Sequence, residues 1–338
     1  MIRVLVVDDS GAVRHLLSYI LQSDPEISVV GRACNGEEAL QMLETLQPDL
    51  ITMDIAMPGL DGLQVTRMIM EKRPTPIVIV TANRDLAGST FKMLEAGALA
   101  SLEKPPGPSA PEFAECKSQL ISTVRSLAGV KPQRLPRRAD VSTSLKIQKR
   151  KSLQIIGIGA STGGPQALRC ILEALPEDFP LPILITQHMS IGFTEDYARW
   201  LGQSGKLPVT LATAGEDLLA GHAYVAPDDR HLGVTKNHKA LISDSEREYG
   251  MRPAVSFMFK SMRYAFGASS VAVLLTGMGR DGAEELGELK KVGAMTIAQD
   301  KETSLIFGMP GRAIALGNAE QILPIESIAS ALLQLVSA

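Results

Sequence analysis

The sequence predicts two doubly wound α/β domains joined by a basic linker, and three observations carry that expectation. Short apolar runs alternate with helically spaced apolar patterns across residues 1–122 and again across 152–338, the rhythm that builds parallel sheets covered by helices. Between them lies a stretch rich in Pro, Ser and basic side chains with no sustained apolar period. The 338 residues suffice for two domains of ordinary size, about 100–200 residues each.

In the first half, IRVLVV reads as a strand and AVRHLLSYIL as a helix. PDLITM and PIVIVTA are again strand-like, and GLQVTRMIM and STFKMLEAG fill the gaps as helices. Polar residues fall at the strand ends: Asp8 and Asp9 after the first, Asp54 after LITM, Thr81 closing IVIV, Lys104 after ALASLE. Doubly wound sheets bind ligands outside the carboxyl ends of their strands. Three carboxylates gathered there repel one another, and a hard, oxygen-preferring cation such as Mg2+ neutralises them. A nearby lysine holds a phosphate as a point charge. Each acid taken singly also fits a solvated strand end; the ordered set is what points to a site.

VVDDS, MDIAMPGLDG, VTA and EKP, in that order and spacing, resemble the receiver domain of two-component response regulators. The resemblance implies Asp54 as the phosphorylated aspartate, with a histidine kinase as phosphoryl donor. It implies Mg2+ held by Asp8, Asp9, Asp54 and the backbone carbonyl of Ala56, and Thr81 and Lys104 as sensors of the phosphoryl group. Such a group adds nearly two negative charges and strong acceptor oxygens, enough to reorder a loop. Two positions depart from the pattern. Ser101 stands three residues before the lysine, where many receivers carry an aromatic ring, and Ala56 stands where Glu or Asn is frequent. The first removes a rotating ring as coupling element; the second bears on phosphoryl lifetime.

Residues 123–151 are the expected flexible linker. Between Arg125 and Lys151 nine bases oppose one acid, Asp140, so the segment carries +8 and leaves the rest of the chain at −11. No aromatic residue interleaves with these bases and no helix-turn-helix signature appears, so nucleic acid is not an expected partner. Nor is membrane insertion expected. MIRVLVVDDS meets acids too soon for a signal peptide, and no run approaches the roughly 18 apolar residues of a spanning helix. Cys34, Cys116 and Cys170 are odd in number and far apart, which indicates buried structural thiols in a cytoplasmic protein rather than disulfides or a zinc site.

In the second half the strands are LQIIGIG, LPILITQH, HAYVAP, SVAVLLTG and AMTIAQD, with PQALRCILEALP as the helix after the first turn. That turn, within GIGASTGG, admits three readings. A dinucleotide fingerprint built on Gly157, Gly159 and the Gly163–Gly164 pair expects an acid at the next strand end, which instead holds His188. A purely structural corner uses glycines for a sharp turn and close helix packing. A nucleophile elbow, G-x-S-x-G, is spelled by Gly159-Ala160-Ser161-Thr162-Gly163 in the strand–turn–helix setting that motif requires. Backbone N–H groups at the helix start then face a developing oxyanion.

A serine hydroxyl needs a base. Of His188, His222, His231 and His238, only His188 ends a strongly apolar strand and so shares the sheet edge of Ser161. Asp281, between glycines in LLTGMGRDG, is the preferred orienting acid, and Asp300 after MTIAQ is its rival. The order Ser, His, Asp differs from that of common α/β-hydrolases and indicates a different fold with convergent chemistry.

GIGASTGGPQAL, ITQHMSIGFT, YVAPDDRHL, LLTGMGRDGA and AQDKETSLIFGMP together resemble the catalytic domain of the chemotaxis protein-glutamate methylesterases, the CheB family. With the receiver in front, the resemblance spans nearly the whole chain. It implies Ser161, His188 and Asp281 as the triad, Asp281 over Asp300, and oxyanion donors from the backbone of Thr162 and Met278. The implied reaction is hydrolysis of glutamyl methyl esters on methyl-accepting chemoreceptors, with glutamine deamidation beside it and no cofactor for the esterase step. The implied control is an unmodified receiver that covers the esterase groove and is loosened by phosphorylation at Asp54. Three positions depart from the family pattern: Asp228 for glycine in APxDRH, Ser256 for aspartate after RPAV, and Glu285 for glycine after DGAE. None is a triad member, so they bear on the groove rather than on the nucleophile.

Overall fold

Five strands in the N-terminal part pair as one parallel sheet: β1 (Ile2–Val7), β2 (Ile27–Ala33), β3 (Leu50–Met53), β4 (Ile77–Thr81) and β5 (Ala100–Glu103). Their spatial order is β2-β1-β3-β4-β5, the flavodoxin-like arrangement. Helices α1 (Gly11–Gln22), α2 (Gly36–Leu46), α3 (Gly62–Lys72), α4 (Ala87–Ala96) and α5 (Phe113–Leu127) alternate with them. β3 and β4 are buried at every position, as expected of central strands covered on both faces. The side chains of Ser10, Asn35 and Asp61 accept from the first-turn N–H groups of α1, α2 and α3, which fixes where those helices begin.

This computed structural model describes residues 1–82, 87–130, 132 and 152–336, and the chain divides into two units, Met1–Leu135 and Pro136–Ala338. The first unit runs past the expected edge at residue 122. α5 continues to Leu127 because Thr123, Val124 and Leu127 are buried along its inner face. Arg125, counted above with the linker, is likewise anchored, through ion pairs to Asp24 at 3.2 Å and to Glu26. Most of the expected linker lies outside the described residues. The cysteines also differ from expectation, since Cys34 is exposed and Cys116 and Cys170 are half-buried.

The second unit comprises β6 (Ile155–Ala160), α6 (Gly164–Ala174), β7 (Ile183–Gln187), α7 (Thr194–Ser204), β8 (Val209–Leu211), β9 (Ala223–Val225), β10 (His231–Val234), β11 (Ala240–Ser243), α8 (Val255–Ala265), β12 (Ser270–Leu274), α9 (Ala283–Lys291), β13 (Met295–Gln299), α10 (Met309–Ala315), β14 (Gln321–Leu323) and α11 (Ile325–Val336). Seven strands form a parallel sheet in the order β14-β13-β12-β6-β7-β9-β8, and β10 and β11 form a separate antiparallel pair. The five apolar runs of the sequence all lie in this sheet. β8 and β14, three residues each at its two edges, and the β10–β11 pair are additional.

The chain leaves β6 toward β7 on one side and returns to β12 on the other, so the strand order reverses beside β6. A crevice at such a reversal is where open α/β sheets bind ligands. Gly157 and Gly159 lie inside β6 rather than in the turn after it. A Cβ at either would collide with Met262 or Val255, so these glycines let α8 pack closely on the strand. No helix among the described residues is long and apolar enough to cross a membrane.

Candidate active site

In the first unit, Val7 pairs with Met53 in register, so Asp8 and Asp54 leave adjacent strands side by side. Both are buried, whereas Asp9 is exposed, and oxygens of all three lie within 4.8 Å of one another. β4 pairs β5 with Thr81 opposite Glu103, and Lys104 N–H donates to the Thr81 carbonyl at 3.0 Å. That register carries Lys104 Nζ to 2.8 Å from Asp8 Oδ2 and 2.9 Å from Asp54 Oδ2.

Burial pushes the Asp54 carboxyl above its ordinary value and the Asp8 charge adds to this, although Lys104 and the Ile55 N–H oppose it. Burial works against the Lys104 ammonium, but its bonds to the two carboxylates outweigh it and raise its pKa. An oxygen-only set of three converging acids that one lysine leaves well short of neutrality fits a hard divalent cation such as Mg2+. Gly62 allows α3 to start directly over Asp54, since a Cβ there would collide with the Asp54 carbonyl oxygen.

In the second unit, three neighbouring strands deliver three side chains to one rim. Ala160 pairs with Gln187, so Ser161 after β6 and His188 after β7 emerge together, and His188 N–H donates to the Ala160 carbonyl at 3.0 Å. On the other flank Gly159 pairs with Leu274 of β12, and Ser161 N–H donates to the Thr276 carbonyl at 3.0 Å. The chain from Thr276 to Met278 therefore passes close beside the serine. A Cβ at Gly277 would stand 2.7 Å from that of Ser161. Thr162 is held from the same segment, its carbonyl accepting from Thr276 Oγ1 at 2.9 Å.

His188 Nε2 lies 2.8 Å from Asp281 Oδ2, and both side chains are largely buried. Asp281 also accepts from the backbone N–H of Val255 at 2.7 Å and of Ser256 at 2.8 Å. Burial pushes its carboxyl up, but the bonds from His188 and Ser256 outweigh that and hold it below the ordinary carboxylate value. An ionised carboxylate only accepts, so Nε2 carries the proton of the neutral ring and Nδ1 keeps a lone pair. Nδ1 is buried and without a hydrogen-bond partner among the described residues, so Ser161 shares the rim but is not bonded to the ring in this state. Catalytic hydrogen bonds are commonly long before substrate arrives.

The turn itself differs from a strained elbow. The left-handed residue is Gly163, at φ 81°, and Ser161 is not among the residues with positive φ. The other histidines are otherwise engaged. His222 precedes β9 and so stands at the opposite end of the sheet. Both ring nitrogens of His231 are used, Nδ1 accepting from Ala254 N–H at 3.2 Å and Nε2 facing the Glu246 carbonyl at 3.0 Å. His238, in the turn between β10 and β11, packs on Phe266. Asp300 ends β13, beyond β12, and accepts from Thr303 N–H and Oγ1, so it holds a turn.

Residues 156–332 match the CheB methylesterase family, and residues 4–110 match the response regulator receiver domain. A protein-glutamate methylesterase/protein-glutamine glutaminase of Nitrosospira multiformis is 47% identical over all of this chain and 98% of its own length. The chain belongs to the CheB methylesterase family. A protein of the same description from Pyrococcus abyssi is 40% identical over 97% of this chain and 91% of its own. The CheB methylesterase catalytic domain of Thermotoga maritima superposes with a TM-score of 0.54 at 39% identity, covering 55% of this chain and all of that one. This chain is thus a methylesterase carrying a receiver domain.

Three residues that the sequence reading did not assign to the site belong to its frame. Gln187, buried at the end of β7, donates through Nε2 to the carbonyls of both Ser161 and His188 at 2.8 Å. It clamps Ser161 and His188 to one another through their backbones, and Gly164 makes room for its side chain. A polar residue next to a strand-terminal histidine was the available signal. Ser256 and Glu285, noted only as departures from the family pattern, converge behind Asp281. The third departure, Asp228, accepts from Gly192 N–H at 2.9 Å and ties down the loop after His188.

Proposed function

We propose that Ser161, His188 and Asp281 hydrolyse the γ-methyl esters of glutamyl side chains on chemoreceptors in the cytoplasm, under control of phosphorylation at Asp54. Ser161 Oγ attacks the ester carbonyl while His188 Nδ1 takes its proton. The oxyanion is met by the N–H groups of Thr162 and Met278 beside the N-terminal end of α6. The tetrahedral adduct collapses, His188 returns the proton to the methoxy oxygen, and methanol leaves. Water, activated by the same nitrogen, then cleaves the acyl-enzyme to glutamate and free serine. A glutamine side chain follows the same path with ammonia as the leaving group.

The observation that carries this reading is the 2.8 Å contact from His188 Nε2 to Asp281 Oδ2. It selects the tautomer whose other nitrogen is basic and stabilises the imidazolium that forms. In the receiver, Asp8, Asp9, Asp54 and the Ala56 carbonyl would hold Mg2+, which supplies charge neutralisation for phosphoryl transfer from a histidine kinase. Thr81 and Lys104 would take the new phosphoryl oxygens. The test is methanol release from methylated receptor by wild type and Ser161→Ala. A mutant releasing methanol at the wild-type rate would remove Ser161 from the mechanism.

A further inference from the structure

A second buried acid lies behind the triad. Glu285 is four residues beyond Asp281, facing the start of α8 from α9, and is 6% exposed; Ser256 is fully buried between the two carboxyls. Ser256 Oγ contacts three polar atoms: Asp281 Oδ1, Glu285 Oε2 at 2.8 Å and the Gly282 N–H at 2.9 Å. The glycine N–H can only donate, so it occupies a hydroxyl lone pair. One hydroxyl proton cannot serve two ionised carboxylates. With both charged, one carboxylate oxygen would face the Ser256 oxygen with no proton between them, in a buried site where an unmet polar contact is costly.

Every contact is satisfied when one acid holds a proton. Asp281 is the poorer candidate, because Val255 N–H, Ser256 N–H and His188 Nε2 already stabilise its charge. We propose that Glu285 is held neutral and acts as a positioning residue, donating to Ser256, which in turn donates to Asp281 and fixes the carboxylate that orients His188. The proposal rests on the triad reading above.

The surroundings support this assignment. Burial raises the Glu285 carboxyl above its ordinary value and the Asp281 charge adds to this, against the pull of Ser256, its own backbone and Lys260. Lys260 on α8 is the cation that faces it, at 3.8 Å from Oε1, but it is half exposed and lies 2.9 Å from Glu248. From the loop before α8, Tyr249 stands near, with Arg280 over its ring. On the flanks of α9 itself, Glu284 faces Arg312 and Glu288 faces Arg263, so those charges are engaged elsewhere.

The experiment compares Glu285→Ala, Glu285→Gln and Ser256→Ala in the full chain. It measures methanol release between pH 5 and 9 and, without substrate, the imidazole N–H proton resonance of His188. Loss of the relay should lower kcat about fivefold or more in Glu285→Ala and Ser256→Ala at unchanged KM. Glutamine keeps a neutral donor and should rescue most of the loss. The double alanine variant should fall no further than Ser256→Ala alone, since both break one chain of bonds. Ionisation of Glu285 makes it compete with Asp281 for the Ser256 proton. The wild-type rate should therefore carry an inflection that Glu285→Gln lacks.

Two results would overturn the proposal: Glu285→Gln as impaired as Glu285→Ala, which would make an ionised partner of Lys260 the working form, or Ser256→Ala with undiminished kcat. A wild type releasing no methanol would defeat the esterase reading instead. The relay would then be judged on the resonance alone, which should be retained in Glu285→Gln and displaced in Ser256→Ala; the same shift in both would reject it. Glu285→Gln conserves shape, so it separates loss of the proton from loss of the fold.

Discussion

At His188 the choice of ring nitrogen decides what the residue can do. Asp281 engages Nε2, so the basic atom is Nδ1, and under the proposed mechanism any substitution that inverts this tautomer should disable the base while leaving the packing alone. Asp281→Asn does this if its amide donates to Nε2 and drives the proton to Nδ1. The expected result is a kcat lower by on the order of 10⁴-fold with KM little changed, as for the corresponding change in serine protease triads. A variant keeping a tenth of the wild-type kcat would refute the tautomer argument. The same carboxyl sets a pH dependence. Its folded pKa lies below the unfolded 3.8, so its contribution to stability is present above that value and is lost as pH falls through the folded pKa. The gap in urea midpoint between wild type and Asp281→Asn should therefore narrow on acidification below about pH 4. A gap that stays constant down to pH 2 would contradict the depressed pKa.

Among the elements, the turn from β6 to α6 is constrained within a few residues. Gly163 takes a φ of 81°, and a Cβ there would stand 2.7 Å from Leu305 Cβ and 3.2 Å from Thr276 Cγ2. Gly279 in the neighbouring loop has a similar φ of 88° with nothing within 4 Å of such a Cβ. Gly279→Ala should thus cost only the left-handed backbone, about 1–2 kcal/mol, while Gly163→Ala adds a clash and costs more. It should also lower kcat, because the clash lands on Leu305, whose neighbour Ile306 is bonded to Thr276 and Gly277 in the segment that holds Ser161. Equal losses for the two variants in denaturant titrations would show that backbone conformation alone matters. The apolar cores of β1, β3, β4, β6, β7, β12 and β13 were legible because strands buried on both faces must be continuous apolar runs. β8 and β14 were not, since three residues at a sheet edge carry too little pattern. His188 was legible as a rim residue for a related reason, as a polar residue stopping an apolar run. Ser256 and Glu285 were visible as oddities, but their meeting depends on how α8 packs against α9, which no local pattern encodes.

Across the whole molecule, one topological rule is used twice for different chemistry. In the first sheet the order reverses between β1 and β3, and Asp8 and Asp54 stand there; in the second it reverses between β12 and β6, and Asp281 and Ser161 stand there. Parallel strands send every carboxyl end to one edge, so residues distant in sequence meet without any long-range pairing of their own. The two sites differ in what each needs from solution. The proposed esterase rim would draw its base, its acid and its backbone donors from one unit. The receiver rim gathers three carboxylates against the single ammonium of Lys104, and phosphorylation brings in nearly two more negative charges. A divalent cation should therefore be required for the control step and not for hydrolysis. With a small-molecule phosphodonor, methanol release should rise above its basal rate only when Mg2+ is present. EDTA should abolish that rise and leave the basal rate, and Asp54→Asn should give the same rate with and without donor. Stimulation that survives either EDTA or Asp54→Asn would mean that the signal enters somewhere other than the Asp8–Asp9–Asp54 cluster.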